Sequence, residues 1–278
     1  MKYYHLISGL PDLSFEDAQM AFSVENFKQQ LSEILTKTDK KLMQDLFLKY
    51  DNDNLLAFLR DEEAVFNTQG TFSREVIADL VQETKENQEK KNKRNKKMPP
   101  YFKQFISDFI TGDEALSNLF WEDQLATLYY DYLGLSKNEF IRNWAELNLN
   151  IHNVLIALAC RRNGTPHASY IVGNNEITQK LRTSNARDFE LPEIFKQFDQ
   201  IRPIDEEPNL IEKEYRIDRL RWAWIEEENT FKYFTIERVI GYLLQLQMIE
   251  RWTLLQEDTG QQIFKDIVKN LKNIKYGN

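Results

Sequence analysis

The sequence is short of every residue type that marks a stapled, sheet-rich or metal-dependent fold: 278 residues contain one cysteine, nine glycines, seven prolines and three histidines. A lone Cys160 excludes an intramolecular disulfide. The opening Met1-Lys-Tyr-Tyr-His-Leu-Ile-Ser-Gly9 lacks the basic-then-apolar order of a secretory leader, so a reducing, cytoplasmic setting is expected and Asn163-Gly164-Thr165 reads as a turn rather than a glycosylation site. Few glycines and prolines leave little punctuation for the many turns of a sheet. His5, His152 and His167 have no carboxylate or second histidine at a helical ligand spacing, and Cys160 has no second cysteine nearby, so neither a metal nor a cofactor is expected. The phosphate-cradling, dinucleotide, serine-hydrolase and zinc-protease motifs are all absent. So is any apolar run near the ~18 residues that span a bilayer: the richest stretch, Val239 to Leu246, is broken by Gly241 and Gln245. A net charge of −8 lacks the basic face that nucleic acid or anionic lipid requires.

What the chain does contain is apolar residues at spacings of three and four, and the expected fold is all-α, a multi-helix bundle. Helix starts are read at Ser14, Asp39 and Ser73, and at Ser136-Lys-Asn-Glu139, a capping box with Leu135 and Phe140 at the staple positions. The last of these opens a helix running to Arg161 and Arg162 before Asn163-Gly164. Tyr3 to Ser8 is the one credible strand; having no partner, it is expected to run extended. Leu191 to Phe198 reads as two helical turns, and Leu210 to Glu228 as a charged helix whose Leu220, Trp222 and Trp224 cover its neighbours. Phe231 to Trp252 is too apolar for a surface helix. Ile236, Val239, Tyr242, Leu243, Leu246, Ile249 and Leu254 form one face, with Ile240, Leu244, Met248 and Trp252 on its flanks, so this helix packs on more than one side. Glu250 falls within the main face and needs either a partner or an exposed helix end.

Lys85 to Lys97 has no apolar residue and reads as an exposed linker or helix extension. It suggests an N-terminal lobe over 1–84, a linker over 85–98, and a C-terminal region over 99–278 that could divide again near 190–210. A faint internal echo relates Asn54, Leu56 and Leu59 to Asn153, Leu155 and Leu158, each set following an Asn-containing turn.

No carboxylate is set apart as acid or base; Asp61-Glu-Glu63 and Glu226-Glu-Glu228 read as solvated helix ends. Arg216-Ile-Asp-Arg-Leu-Arg-Trp-Ala-Trp224 reads either as a partner-binding patch, in which Arg219 and Trp222 are the anchors, or as an amphipathic helix with core tryptophans and outward arginines.

Three segments carry a family resemblance: Tyr3 to Leu13, Trp144 to Arg161, and Tyr242-Leu-Leu-Gln-Leu-Gln-Met-Ile-Glu-Arg-Trp252. They resemble an uncharacterised bacterial family usually encoded among V-type ATPase genes, and through it, remotely, the C-type subunit of V/A-type rotary ATPases, named d-type in the eukaryotic enzyme. Asp51-Asn-Asp-Asn-Leu55 is similar to an Asp-x-x-Asn-Leu helix start that recurs in that family, and Tyr242-Leu-Leu244 to a run in its late helix. The chain departs from the C-type pattern in carrying Leu246-Gln-Met-Ile249 where a charged segment is usual, and in being shorter. The resemblance implies a non-catalytic body of elongated or funnel-like helical bundle lobes between the membrane rotor ring and the soluble central stalk, peripheral at the inner face of the membrane and not inserted in it. Its partners would be central-stalk subunits and the rotor ring, and the polar groups ending the central helices, Arg60, Arg161, Arg162, Glu250 and Arg251, would meet them. A helical adaptor or assembly factor for the same V-type ATPase is the alternative, and an enzyme built on scattered carboxylates the third.

Overall fold

A computed structural model describes residues 3–16, 22–86, 98–112 and 121–255. Among them every regular element is a helix and no strand occurs, so the fold is all-α.

The expected extended segment at the N-terminus is instead a short helix, α1 (Tyr4–Ser8). With no second strand to accept its amides, the segment satisfies them locally: Ile7 N–H donates to Tyr3 O at 3.0 Å and Gly9 N–H to Leu6 O at 3.1 Å. Ser14 is not a helix start; its Oγ accepts from Glu16 N–H at 3.4 Å within a turn, and residues 17–21 lie outside the described chain. The first long helix is α2 (Val24–Ile34), capped by Ser23, whose Oγ accepts from Asn26 N–H at 3.2 Å. α3 (Lys37–Arg60) begins before Asp39, because Thr36 takes the cap: Asp39 N–H donates to Thr36 Oγ1 at 3.3 Å and the Thr36 hydroxyl returns a bond to Asp39 Oδ2 at 2.6 Å. Asp39 is therefore a first-turn acid, favoured there by the helix dipole.

α4 (Arg74–Lys85) starts behind Ser73 as the sequence suggests, and residues 87–97 of the charged run fall outside the described chain. α5 (Pro100–Thr111) opens on a proline and ends at Gly112, whose φ of +60° suits a residue without Cβ. α6 (Trp121–Gly134) precedes α7 (Glu139–Arg162), which is capped by Asn138 through Ile141 N–H at 3.1 Å and not by Ser136. Ser136 Oγ instead accepts from Asn138 N–H at 3.3 Å, and Leu135, 84% exposed, forms no staple. α7 does end at Arg162. α8 (Glu176–Thr183) carries a full capping box between Asn175 and Thr178. Only turns precede Phe198 in the stretch read as two helical turns; α9 (Phe198–Asp205) follows, and then α10 (Leu210–Asn229). The last helix, α11, occupies residues 236–255. It starts later than expected, since Phe231 is 85% exposed in the preceding turn.

The chain divides into two compact units, Met1–Lys40 with Glu214–Asn278, and Lys41–Lys213. The limits of these units fall inside α3 and α10. In the first, α11 is the core. Val239, Ile240, Leu243 and Leu246 are wholly buried, as are Phe27 and Leu31 of α2, each side chain contributing about 1.5–3 kcal/mol. Tyr242 meets Phe27 edge-on at 5.2 Å and stacks on Phe22 at 6.2 Å. Burial on several sides is what the sequence of this helix requires. Leu254, expected on its main face, is 53% exposed.

In the second unit α7 packs against α6, α8 and α9, and α5 lies between α4 and α6. Two long helices of 24 residues each, α3 and α7, use the same device to hold the loop that follows them. Asn54 Oδ1 accepts from Asn67 N–H at 2.6 Å and its Nδ2 donates to Asn67 O at 3.0 Å. Asn153 Oδ1 accepts from Val172 N–H at 2.9 Å and its Nδ2 donates to Val172 O at 2.8 Å. One turn earlier, Asp51 accepts from Thr71 N–H at 2.7 Å and Phe72 N–H at 2.9 Å, while its counterpart Asn150 accepts from Asn175 Nδ2 at 2.9 Å. The faint echo is thus a repeated helix–loop clamp. It lies within helices, not in turns ahead of them, and Asp51 to Leu55 is no helix start.

Candidate functional site

The seven polar and aromatic residues singled out from the sequence do not converge on one site. Arg219, Trp222, Glu250 and Arg251 belong to the first unit and Arg60, Arg161 and Arg162 to the second. One charged cluster is centred on Asp218 of α10, which is 3% exposed. Its carboxylate accepts from Arg221 Nη1 at 2.9 Å, from Trp252 Nε1 at 3.0 Å and from Arg251 Nη2. Arg251 Nη1 also faces Glu214 at 3.6 Å. A buried carboxylate so surrounded is neutralised within the fold, and removing one donor would leave it short of a partner.

Glu250 has the partner that its place on the apolar face requires, and it is a backbone amide: its Oε1 accepts from Val24 N–H at 3.1 Å, so it supplies an external cap to the first turn of α2. Trp222 is 6% exposed, with its indole N–H on Glu226 Oε1 at 2.9 Å and its ring against Phe15 at 5.3 Å. It belongs to the core. Arg219 reaches outward to Glu16 at 3.0 Å, with side chains 54% and 71% exposed.

In the second unit Arg161 and Arg162 tie down chain returning to the end of α7. Arg161 Nη1 donates to Ala186 O and Arg187 O, each at 2.8 Å, and its guanidinium lies 3.6 Å over the ring of Phe189. That grip holds Phe189 and Glu190 at φ of +54° and +59°, a left-handed pair that side chains disfavour. Desolvation lowers the Arg161 pKa, offset in part by Asp188. Arg162 donates to the buried Asp205, which Lys213 also approaches, at 3.6 Å. Arg60 pairs with Glu122 at 2.7 Å, both about half exposed. Glu122 titrates below its ordinary value, chiefly through its own backbone amide, with Arg60 adding to the effect. Of the seven, Arg60, Arg162, Arg219 and Arg251 keep side chains 44–54% exposed while each also meets a carboxylate of its own unit.

Burial works on the neutral groups as well. Tyr101 and Tyr129 lie so deep that desolvation pushes their hydroxyls well above the usual phenol range, leaving Tyr101 a donor to Asn52 at 2.7 Å and Tyr129 a donor to Leu46 O at 3.3 Å. Tyr242 is pushed up to about 12 by burial and by Asp12. Asp45, Asp53 and Asp123 are raised, in each case mainly by burial. Among the described residues no three His, Cys, Asp or Glu side chains are grouped to hold a metal ion, and no helix is long and apolar enough to cross a membrane.

Sequence reasoning passed over Asp218, although an isolated acid in the arginine-rich stretch was a signal. It also passed over Asp51 and Asn153 as clamps. The chain belongs to a family described as a protein of unknown function, DUF2764, whose profile matches residues 1–274. No curated protein and no solved structure matches it.

Proposed function

We propose that this member of the DUF2764 family is a non-catalytic coupling subunit of a V-type rotary ATPase, linking the soluble central stalk to the membrane rotor ring from the inner face of the membrane. The observation that carries the reading is the doubled clamp. The Asp-x-x-Asn pattern, similar to one that recurs in the rotary-ATPase family, ties α3 to its loop through Asp51 and Asn54, and α7 makes a related arrangement with Asn150 and Asn153. A body that passes torque must resist deformation, and side chains locking a helix to its own returning loop supply stiffness at each repeat. Trp222, Glu250 and Arg161 act within the fold, so surface contact to partners falls to half-exposed groups such as Arg60, Arg162, Arg219 and Arg251.

Purification of the tagged protein from native membranes in mild detergent tests the reading: stalk and ring subunits are expected to accompany it, and a deletion strain should lose ATP-driven ion pumping. Recovery with partial complexes alone would favour an assembly factor. A deletion strain whose V-type ATPase assembles and pumps normally sinks the coupling role.

A further inference from the structure

The corner between α10 and α11 breaks three local rules at once. First, Phe231 and Tyr233 are 85% and 65% exposed, and Tyr4, 48% exposed, adjoins them through Phe234 at 4.8 Å between ring centroids. With about 200 Å² per aromatic side chain, this leaves roughly 400 Å² of aromatic surface in water, the size of the largest patch on a typical monomer. Second, α10 ends on Glu226, Glu227 and Glu228 with no basic residue in its last turn. Three carboxylates there meet the negative end of the helix dipole and weaken the helix they terminate. Glu226 and Glu227 are exposed, Glu226 also accepting the Trp222 indole N–H at 2.9 Å, and Lys232 lies 3.9 Å from Glu228. Third, Asn229 is 3% exposed, yet neither its Oδ1 nor its Nδ2 has a hydrogen-bond partner among the described residues. An orphaned buried amide destabilises the free protein, and such groups call for an explanation.

Violations that cost stability and share one place mark a surface kept for binding. We propose that this corner docks a cationic amphipathic helix of a partner protein, with aliphatic side chains on Phe231, Tyr233 and Tyr4 and lysines or arginines over Glu226 and Glu227. Both halves of the surface favour that ligand, since aromatic faces attract cations as the carboxylates do. A second copy of this chain would set glutamates against glutamates, and an anionic bilayer would meet the same repulsion. The inference stands on the first unit alone and does not rest on the coupling role.

The probe is a fluorescent synthetic helix of leucine and lysine, titrated into the full chain and read by anisotropy, with a leucine–glutamate helix as its counterpart. The leucine–lysine helix should bind and its counterpart should not. Phe231→Ser with Tyr233→Ser should weaken binding about tenfold or more, as for anchors at an interface centre. Glu226→Gln with Glu227→Gln should weaken it and flatten its salt dependence, whereas Glu62→Gln with Glu63→Gln, exposed acids of the second unit, should leave it unchanged. All positions substituted are exposed, and unchanged circular dichroism establishes that the variants fold. Wild-type affinity in the aromatic variant, or an equal loss in the Glu62/Glu63 control, overturns the proposal. So does self-association of the wild type, or its binding to phosphatidylserine vesicles, if abolished by the aromatic substitutions.

Discussion

Asn54 and Asn153 make the same pair of hydrogen bonds to the backbone of one downstream residue, yet truncation to alanine should cost very different amounts. Asn153 is wholly buried and its partner, Val172, is 1% exposed. Asn153→Ala therefore strands an N–H and a C=O where water cannot follow, and an unsatisfied buried group costs about 1–3 kcal/mol. Two such groups, with some local relaxation, give about 3–4 kcal/mol. Asn54 is 3% exposed, but Asn67 sits on an exposed loop, so water can take over both backbone groups and Asn54→Ala should lose only about 1 kcal/mol, the net value of ordinary hydrogen bonds. Urea unfolding with the slope held common measures the difference. Because the chain forms two units and unfolding need not be two-state, amide exchange at Val172 and Asn67 gives the local check. Val172 should lose protection in Asn153→Ala; Asn153→Asp, which keeps the acceptor but sets a carboxylate against Val172 O, should be worse still. Equal losses at the two positions would refute the desolvation argument.

Glu250→Ala should lower stability by about 1–2 kcal/mol by uncapping Val24 N–H, with Glu250→Gln retaining most of it because an amide oxygen still accepts; thermal unfolding of the two variants distinguishes a cap from a charge effect. Asp45 has a folded pKa raised from 3.8 by burial, so the folded state binds more protons than the unfolded one just above that value, and stability falls as pH rises through the window. Asp45→Asn, which keeps an acceptor for Tyr132 Oη at 3.1 Å, should accordingly raise the melting temperature at neutral pH, with the gain fading as pH falls towards 3.8. A gain that grows on acidification would reverse the assigned sign. Gly241→Ala should destabilise by about 1–3 kcal/mol, since its Cβ would stand 2.2 Å from Asn229 Nδ2 and 2.9 Å from Ile225 Cγ2. Adding Asn229→Ala should restore most of that loss, because it removes both the obstruction and the orphaned amide; additive losses in the double variant would show that the two positions do not meet.

The helical class and the burial of α11 were legible because they follow from spacing. Val239, Leu243 and Leu246 recur at helical intervals, and so long an apolar face must be covered. Caps were less legible because several short polar residues compete for each helix start. Asn138 outcompetes Ser136 at α7, and Thr36 displaces Asp39 at α3, choices settled by which side chain meets an open amide. The N-terminal segment misleads for a different reason. Its Tyr-Tyr-His-Leu-Ile run has strand character, but strand propensity expresses packing beside a partner, and among the described residues there is no strand to pair with.

The arginines illustrate what a one-dimensional reading misses. Arg161, Arg162 and Arg251 look like surface charges at helix ends, and their partners lie far off in sequence: Ala186 and Arg187 carbonyls for the first, Asp205 for the second, Asp218 for the third. Each is engaged in keeping its own unit folded. The corner at residues 226–234 has the opposite character. Its glutamates stand at the wrong end of a helix, its aromatics face water and its asparagine, among the described residues, is buried without a hydrogen-bond partner. Both kinds of position stand out in the sequence, but only the second combines aromatic surface left in water with acids at a helix C-terminus, a deficit that the proposed partner helix would relieve. That difference, rather than exposure or charge alone, separates the residues that hold this fold from those positioned to bind.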